Sequence, residues 1–300
     1  MGGNRMILET KLIIFGAALA VASYQDLKTR EIDDRIWLVS GAAGALLTVA
    51  EVITTPAYPL LLAGFSALLT AAIAVAVFYL GLYGGADAKA LLVAAVTLPL
   101  SPWAVGTGPV WMPGSYTNPF FPLTLLGNGL LLSLLLVPSC FAWNLRARLS
   151  GEGLFDGVSA SPLQRLVAVL TAVRVKPSTA ASVHFNLIER PATPQPLRSG
   201  QGKSSSGSGR VTAARGLRGG SGAEEKWELK LFSRISDEDY DREKEEQSRA
   251  LAGIDRKVWA TPAIPMIVFL LAGYLVSLVW GDLIFSLISV LLGVHPAVWV

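Results

Sequence analysis

Long apolar stretches separated by short polar segments dominate the chain. Residues 52–86, 90–145 and 258–281 contain no charged side chain, whereas a helix that crosses a bilayer needs about 20 predominantly apolar residues. The pattern predicts an all-α polytopic membrane protein with about six transmembrane helices and a cytoplasmic insertion between helices five and six. We expect these helices at about 10–25, 36–52, 59–83, 87–100, 120–142 and 263–292.

Composition and charge support a membrane protein and give it an orientation. The chain is 52% hydrophobic and 16% charged, against about 25% charged in soluble domains. With six spans, the segments after helices one, three and five share one side, which has most of the basic residues near helix ends: Lys28, Arg30, Arg35, Lys89, Arg146, Arg148, Arg256 and Lys257. The other side has only Arg5 and Lys11. A basic excess marks the cytoplasmic side, so we expect both termini outside.

The predicted insertion, residues 143–262, divides the chain into three parts. Residues 1–142 hold helices one to five, and residues 263–300 hold helix six and the C-terminal tail. Within the insertion, residues 191–222 are rich in Ser, Gly and Pro and are predicted to be disordered. Residues 163–173 have helical spacing of apolar positions, and KWELKL at 226–231 alternates as a short strand does.

Two further features bear on processing and on metals. Arg5 and Lys11 precede an apolar run that ends in Ala20-Val21-Ala22, which has the form of a secretory signal peptide. We expect this run to be kept as the first helix, with cleavage as the open alternative. Cys140 has no partner cysteine, and the two histidines are far apart in sequence. We therefore expect no disulfide, metal or cofactor, and the basic linker without aromatic residues indicates no nucleic-acid partner.

Asp26 and Asp87 stand out because each lies where an apolar segment meets a polar turn. They belong to SYQDLKTREIDDR (residues 23–35) and GGADAK (residues 84–89), and the predicted topology places both at the cytoplasmic face. Acids at a membrane boundary tend to face the helix bundle and to have a role. Two such carboxylates that share one proton can hydrolyse an amide with water. The alternative is structural: Asp26 pairs with Lys28 or Arg30, and Asp87 caps a helix.

The two segments together resemble the signature motifs of type IV prepilin peptidases, in particular the archaeal preflagellin peptidase branch. The apolar residues 119–138 and 258–282 resemble later segments of the same family. The resemblance implies that Asp26 and Asp87 form the catalytic dyad of an intramembrane aspartic protease. It also implies a supporting motif before Asp87, formed by Gly84, Gly85 and Ala86, with an alanine at a position where the family has glycine. Lys28 and Lys89 flank the two aspartates and could pair with them.

The resemblance further implies the substrate and the place of action. Members of the family remove the short basic leader of archaellin or type IV pilin-like precursors at the cytoplasmic face, so such precursors and the lipid bilayer are the expected partners. Glu31, Asp33 and Asp34 could attract the basic leader. With Cys140 alone, N-methyltransferase activity is not expected. The alternative function is an ion-coupled transporter or channel that uses the boundary aspartates. The oligomeric state is left open.

Overall fold

The computed structural model shows two compact units, each of which is described by itself. Unit 1 comprises Met1–Ser139 and Ala263–Val300, and unit 2 comprises Cys140–Pro262. The structure describes these residues: 2–81, 83–102, 118–182, 185–191, 227–229, 249, 251, 254–263 and 265–293. Most of the predicted linker (192–222), Leu231, His184 and His295 lie outside the described residues.

Long apolar helices form unit 1. Its helices are α1 (Gly2–Thr29), α2 (Asp34–Thr54), α3 (Leu60–Tyr79), α4 (Gly85–Thr97), α5 (Phe121–Ser133), α9 (Met266–Val279) and α10 (Leu283–Leu292). Helix α6 (Leu136–Leu149) begins in unit 1 and ends in unit 2. Among the described residues, four helical segments are long and apolar enough to cross a membrane: Asn4–Thr29, Asp34–Thr54, Leu60–Tyr79 and Phe121–Leu149. The predicted multi-pass, mostly helical membrane protein is confirmed.

The described residues contain fewer spans than the six predicted. Helix α4 has only 13 residues and ends at Thr97, before Pro99, so it is too short to be counted as a span by itself. Helices α9 and α10 meet at a bend of 64°, and the bent pair counts as at most one further span. The described residues therefore contain four spans, or five with the bent pair. Gly281 turns the chain at this bend with φ 77°, a conformation that glycine adopts without steric cost.

Side-chain bonds show which helix ends of unit 1 lie together. At one end, Lys89 of α4 forms an ion pair with Asp34, the first residue of α2. Toward the other end, the Thr48 hydroxyl of α2 donates to the Thr97 carbonyl oxygen at 3.0 Å. Helix α4 thus runs parallel beside α2. Asp26 near the end of α1, Asp34 and Asp87 consequently lie at the same end of the helices.

Helix α9 anchors the bundle through close contacts with α5 and α1. A Cβ added at Gly273 would lie 2.6 Å from the backbone nitrogen of Gly129 and 2.8 Å from the Leu125 carbonyl oxygen, so α9 and α5 meet backbone to backbone. Toward α1, the Tyr274 hydroxyl donates to the Leu12 carbonyl oxygen at 2.7 Å. These contacts hold α9 between α1 and α5, with Tyr274 in the buried core.

A buried polar network fixes the bend between α9 and α10. The Asn128 amide of α5 donates to the Gly281 carbonyl oxygen at 2.8 Å and to the Ser277 hydroxyl at 2.9 Å. Its oxygen accepts from the backbone N–H of Leu283 at 2.9 Å. Asp282 accepts from the Thr124 hydroxyl and from a backbone N–H of α10. Asp282 thus has a helix-end role, and these bonds compensate its burial in the bundle.

Unit 2 contains two small sheets as well as helices. The strands are β1 (Val158–Ser159), β2 (Val173–Val175), β3 (Phe185–Leu187), β4 (Glu189–Pro191), β5 (Trp227–Leu229) and β6 (Val258–Pro262); the helices are α7 (Pro162–Thr171) and α8 (Pro177–Ala180). One sheet has the order β1-β5-β4, with β1 parallel to β5, and the other has the antiparallel order β2-β6-β3. Unit 2 thus adds short strands to a mostly helical chain. The predicted strand is confirmed at residues 227–229.

Candidate active site

Asp26 lies in the last turn of α1, where the helix reaches the end of the bundle. The residue is only 8% exposed. Its Oδ1 accepts a hydrogen bond from Nη1 of Arg30 at 3.2 Å. The carboxylate is thus held in a largely buried position by one neighbouring guanidinium.

Arg30 closes the end of α1 with an unusual backbone conformation. Its φ is 64°, in the left-handed region that residues with a side chain adopt rarely. The Arg30 backbone N–H donates to the Asp26 carbonyl oxygen at 3.2 Å. Its Nη2 donates to the Ala263 carbonyl oxygen at 2.5 Å, just before α9 begins. Arg30 therefore joins the Asp26 carboxylate to the segment that leads into α9.

Asp87 lies in the first turn of α4, and its Oδ2 accepts from the Gly84 backbone N–H at 3.2 Å. This is the backbone contact of a helix-capping carboxylate. A Cβ added at Gly84 or Gly85 would meet its nearest atom at 3.6 or 3.7 Å, which is ordinary contact. Ala86 already lies within the helix. Alanine is a strong helix former, so it suits this position, and the turn does not depend on a glycine there.

The structure brings the two aspartates together at one end of unit 1. Helix α1 packs against α4, and the Asp26 carboxylate and the Arg30 guanidinium both act electrostatically on Asp87. Asp87 forms no ion pair among the described residues, whereas Asp26 has Arg30 in contact. The pair therefore consists of two acids in unequal surroundings, one beside a cation and one at a helix N-terminus.

Tyr83 is a further residue of this end, in the loop between α3 and α4. Its side chain packs against the main hydrophobic core. Burial, and then the negative charge of Asp87, raise the pKa of Tyr83 to about 12. Tyr83 thus stays neutral and protonated over the physiological range, within electrostatic range of Asp87.

The two predicted flanking lysines do not contact the aspartates. Lys28 is exposed, and its Nζ lies 5.8 Å from the centre of the Tyr24 ring. Lys89 forms an exposed ion pair with Asp34 at 2.6 Å. The cation in contact with Asp26 is Arg30. The structure thus shows both contacts of the structural alternative, in which Asp26 pairs with Arg30 and Asp87 caps a helix.

The neighbouring loop acids have local structural contacts. Asp33 caps α2 by accepting from the Arg35 backbone N–H at 2.9 Å, and Asp34 is paired with Lys89. Glu31 is exposed. No group of three or more His, Cys, Asp or Glu residues that could hold a metal occurs in the part of the chain that the structure describes.

Sequence reasoning did not single out Arg30 or Tyr83 as site residues. The spacing of four residues between Asp26 and Arg30 was a usable signal, since it places both side chains on one helix face. No comparable signal exists for Tyr83, because its place beside Asp87 depends on the path of the loop after α3.

Comparison with known proteins places both motifs in one family. Residues 13–141 match the type IV leader peptidase family, and residues 221–283 match the archaeal peptidase A24 C-terminus of type II. A preflagellin peptidase of Methanococcus voltae is 26% identical over 275 residues, which cover 90% of this chain and 94% of that protein. A preflagellin peptidase of Methanococcus maripaludis strain C6 is 29% identical over 118 residues, 39% of this chain and 51% of that protein. The resemblance seen in the sequence is confirmed.

Proposed function

We propose that this chain, which belongs to the type IV leader peptidase family, is an aspartic endopeptidase that removes the leader peptide from preflagellin or a related pilin-like precursor. Asp26 and Asp87 are its catalytic residues. The observation that carries this proposal is the meeting of two acids from separate sequence motifs at one end of the bundle, within electrostatic range of each other.

The chemistry follows from two carboxyl groups that hold one proton. The ionised carboxylate takes a proton from water while the water oxygen adds to the scissile carbonyl carbon, and the protonated carboxyl gives its proton to the carbonyl oxygen. When the C–N bond breaks, the first group passes its proton to the leaving nitrogen and the second takes one back from the hydroxyl. One water is consumed, and the pair returns to its initial state without a covalent intermediate.

The position of the pair suits a substrate with a polar leader and an apolar helix. Both acids lie near the ends of helices that contain long apolar stretches. The precursor's apolar segment would lie in the bilayer beside the bundle, and its leader would reach the aqueous side at the level of the pair. The basic residues near this end favour the cytoplasm as that side, with the N-terminus outside.

The test is cleavage of purified preflagellin by the purified chain in detergent or liposomes, with mass spectrometry of both products. We expect one cut just before the apolar segment of the precursor, and loss of cleavage in Asp26→Asn and in Asp87→Asn. Glu9→Gln is the matched control, since it changes an exposed acid at the opposite end of the same helix. Cleavage that persists in either aspartate variant contradicts the assignment, and ion flux without proteolysis would favour a transporter.

The orientation has its own test in a Cys140→Ala background. A single cysteine at Glu31, in the loop after α1, should react with a membrane-impermeant reagent only from the cytoplasmic side. A cysteine at Ala57, in the exposed loop between α2 and α3, should react only from outside. Labelling of both positions from the same side would contradict this topology.

A further inference from the structure

The two aspartates differ in their contacts, and Arg30 causes the difference. We infer that Arg30 is a positioning residue that holds the Asp26 carboxylate in place, so that Asp26 acts as the base on water and Asp87 carries the catalytic proton. This inference rests on the proposed function and adds to it an assignment that the sequence alone leaves open. It makes Arg30 the third functional residue of the site.

The geometry of Arg30 is specific for this task. One nitrogen of the guanidinium donates to Asp26 Oδ1 at 3.2 Å and another donates to the Ala263 carbonyl oxygen at 2.5 Å. Two donors in a planar fork fix the direction of the charge in a way that a lysine ammonium does not. The Arg30 side chain is 17% exposed and that of Asp26 is 11% exposed, so solvent screens this pair less than it screens a surface pair.

The backbone at Arg30 supports the same conclusion. A left-handed φ costs a residue with a side chain about 1 kcal/mol or more relative to glycine, and such a conformation persists only where the surroundings impose it. At a helix end of this kind glycine is the common residue. The chain has an arginine there instead, and its guanidinium reaches both Asp26 and Ala263.

The other charged groups near Asp26 do not replace Arg30. Helix α2 contributes Asp33, which caps its own helix, and Asp34, which is paired with Lys89. Helix α4 contributes Asp87 and Lys89, the loop before it contributes neutral Tyr83, and Lys28 of α1 lies over the Tyr24 ring. The titratable group of α9 is Tyr274, whose hydroxyl donates a hydrogen bond to the Leu12 carbonyl oxygen, nearer the start of α1. Arg30 is thus the cation that contacts Asp26 among the described residues.

The assignment gives each proton a defined path. Asp26 accepts a proton from water as the new C–O bond forms, and Asp87 donates its proton to the carbonyl oxygen. As the C–N bond breaks, Asp26 donates to the leaving amine and Asp87 recovers a proton from the hydroxyl. The Gly84 N–H can donate to Asp87 whether its carboxyl group is protonated or ionised, because one carboxyl oxygen still accepts a hydrogen bond when the other is protonated.

The test is the pH dependence of kcat/KM for preflagellin cleavage, measured for the wild type, Arg30→Gln, Arg30→Lys and Arg30→Gly. If the Arg30 guanidinium holds the base in place, Arg30→Gln and Arg30→Gly should move the acidic limb upward by about 1 pH unit or more. Lys should keep the limb near its wild-type position but lower the rate, since it cannot make both contacts. Gly relieves the left-handed backbone, and this variant therefore separates a folding defect from an electrostatic one.

Arg35→Gln is the matched control, because it removes an exposed positive charge from the same end of the bundle. An acidic limb that stays in place in Arg30→Gln and Arg30→Gly, or that moves as far in Arg35→Gln, would overturn the inference. The proposed function would survive that result, since wild-type cleavage and its loss in the aspartate variants are measured separately. If the wild type does not cleave preflagellin at all, the proposed function fails first.

Discussion

The contact between α9 and α5 leaves no room for a methyl group at Gly273. A Cβ there would lie 2.6 Å from the Gly129 nitrogen and 2.8 Å from the Leu125 oxygen. The closer of these atoms is roughly 0.9 Å inside the ~3.5 Å at which non-bonded atoms attract best. Both are backbone atoms of a helix, so relief requires the two helices to separate. Such overpacking costs about 1–3 kcal/mol.

Gly64→Ala is the matched control for Gly273→Ala, since a Cβ at Gly64 of α3 meets nothing within 4 Å. Both changes gain about 1 kcal/mol of helix propensity, so the difference between the two variants isolates the packing cost. We expect Gly273→Ala to unfold with a free energy about 1–3 kcal/mol lower than Gly64→Ala, measured by reversible unfolding in mixed micelles. Equal stabilities would refute the backbone contact between α9 and α5.

Three further predictions concern buried polar groups. Glu51→Gln removes the charged partner, at 2.7 Å, of Lys11, whose side chain is only 2% exposed, and should cost about 3–5 kcal/mol of unfolding free energy. Arg5→Gln, in an exposed pair, should change the unfolding free energy by less than about 1 kcal/mol. Equal effects of the two variants would contradict the burial of Lys11. Asn128→Ala should lower the unfolding free energy by about 1–3 kcal/mol, because it removes the hydrogen bonds at the α9–α10 bend. Ser133→Ala, at an exposed hydroxyl of the same helix, should lower it much less. A larger effect of Ser133→Ala would refute the network. Because the pKa of Tyr83 is raised to about 12, unfolding releases its proton between pH 10 and 12, and the unfolding free energy falls as the pH rises through this range. Tyr83→Phe should show a smaller fall. An identical fall in the variant would contradict the burial of Tyr83.

The pair of aspartates could be predicted from the sequence because two local signals coincided. Asp26 follows one apolar segment and Asp87 opens another, and each lies in a segment that resembles a motif of type IV prepilin peptidases. The basic residues then placed both at one face. The structure agrees on their shared end of the bundle. The contacts around the two aspartates could not be predicted from the sequence, since Lys89, for example, pairs with Asp34, which is 55 residues away.

The limits of the sequence reasoning are clearest near the C-terminus. The charge-free run 258–281 contains the start of the helix predicted over 263–292. The five residues of the run that precede this helix form strand β6, whose Trp259 is fully buried, because β2 and β3 pair with it. These strands have only three residues each, too few to show alternation. The bend at Gly281 likewise depends on Asn128, a partner distant in sequence.

The measurement that tests the central claim most directly is single-turnover cleavage of preflagellin by Asp26→Asn, Asp87→Asn and the double variant, beside the wild type. If the two acids act as one unit, each single variant loses about 10³-fold or more and the double variant loses no more than the worse single one. Losses that multiply in the double variant, or substantial cleavage by either single variant, would contradict a shared catalytic site.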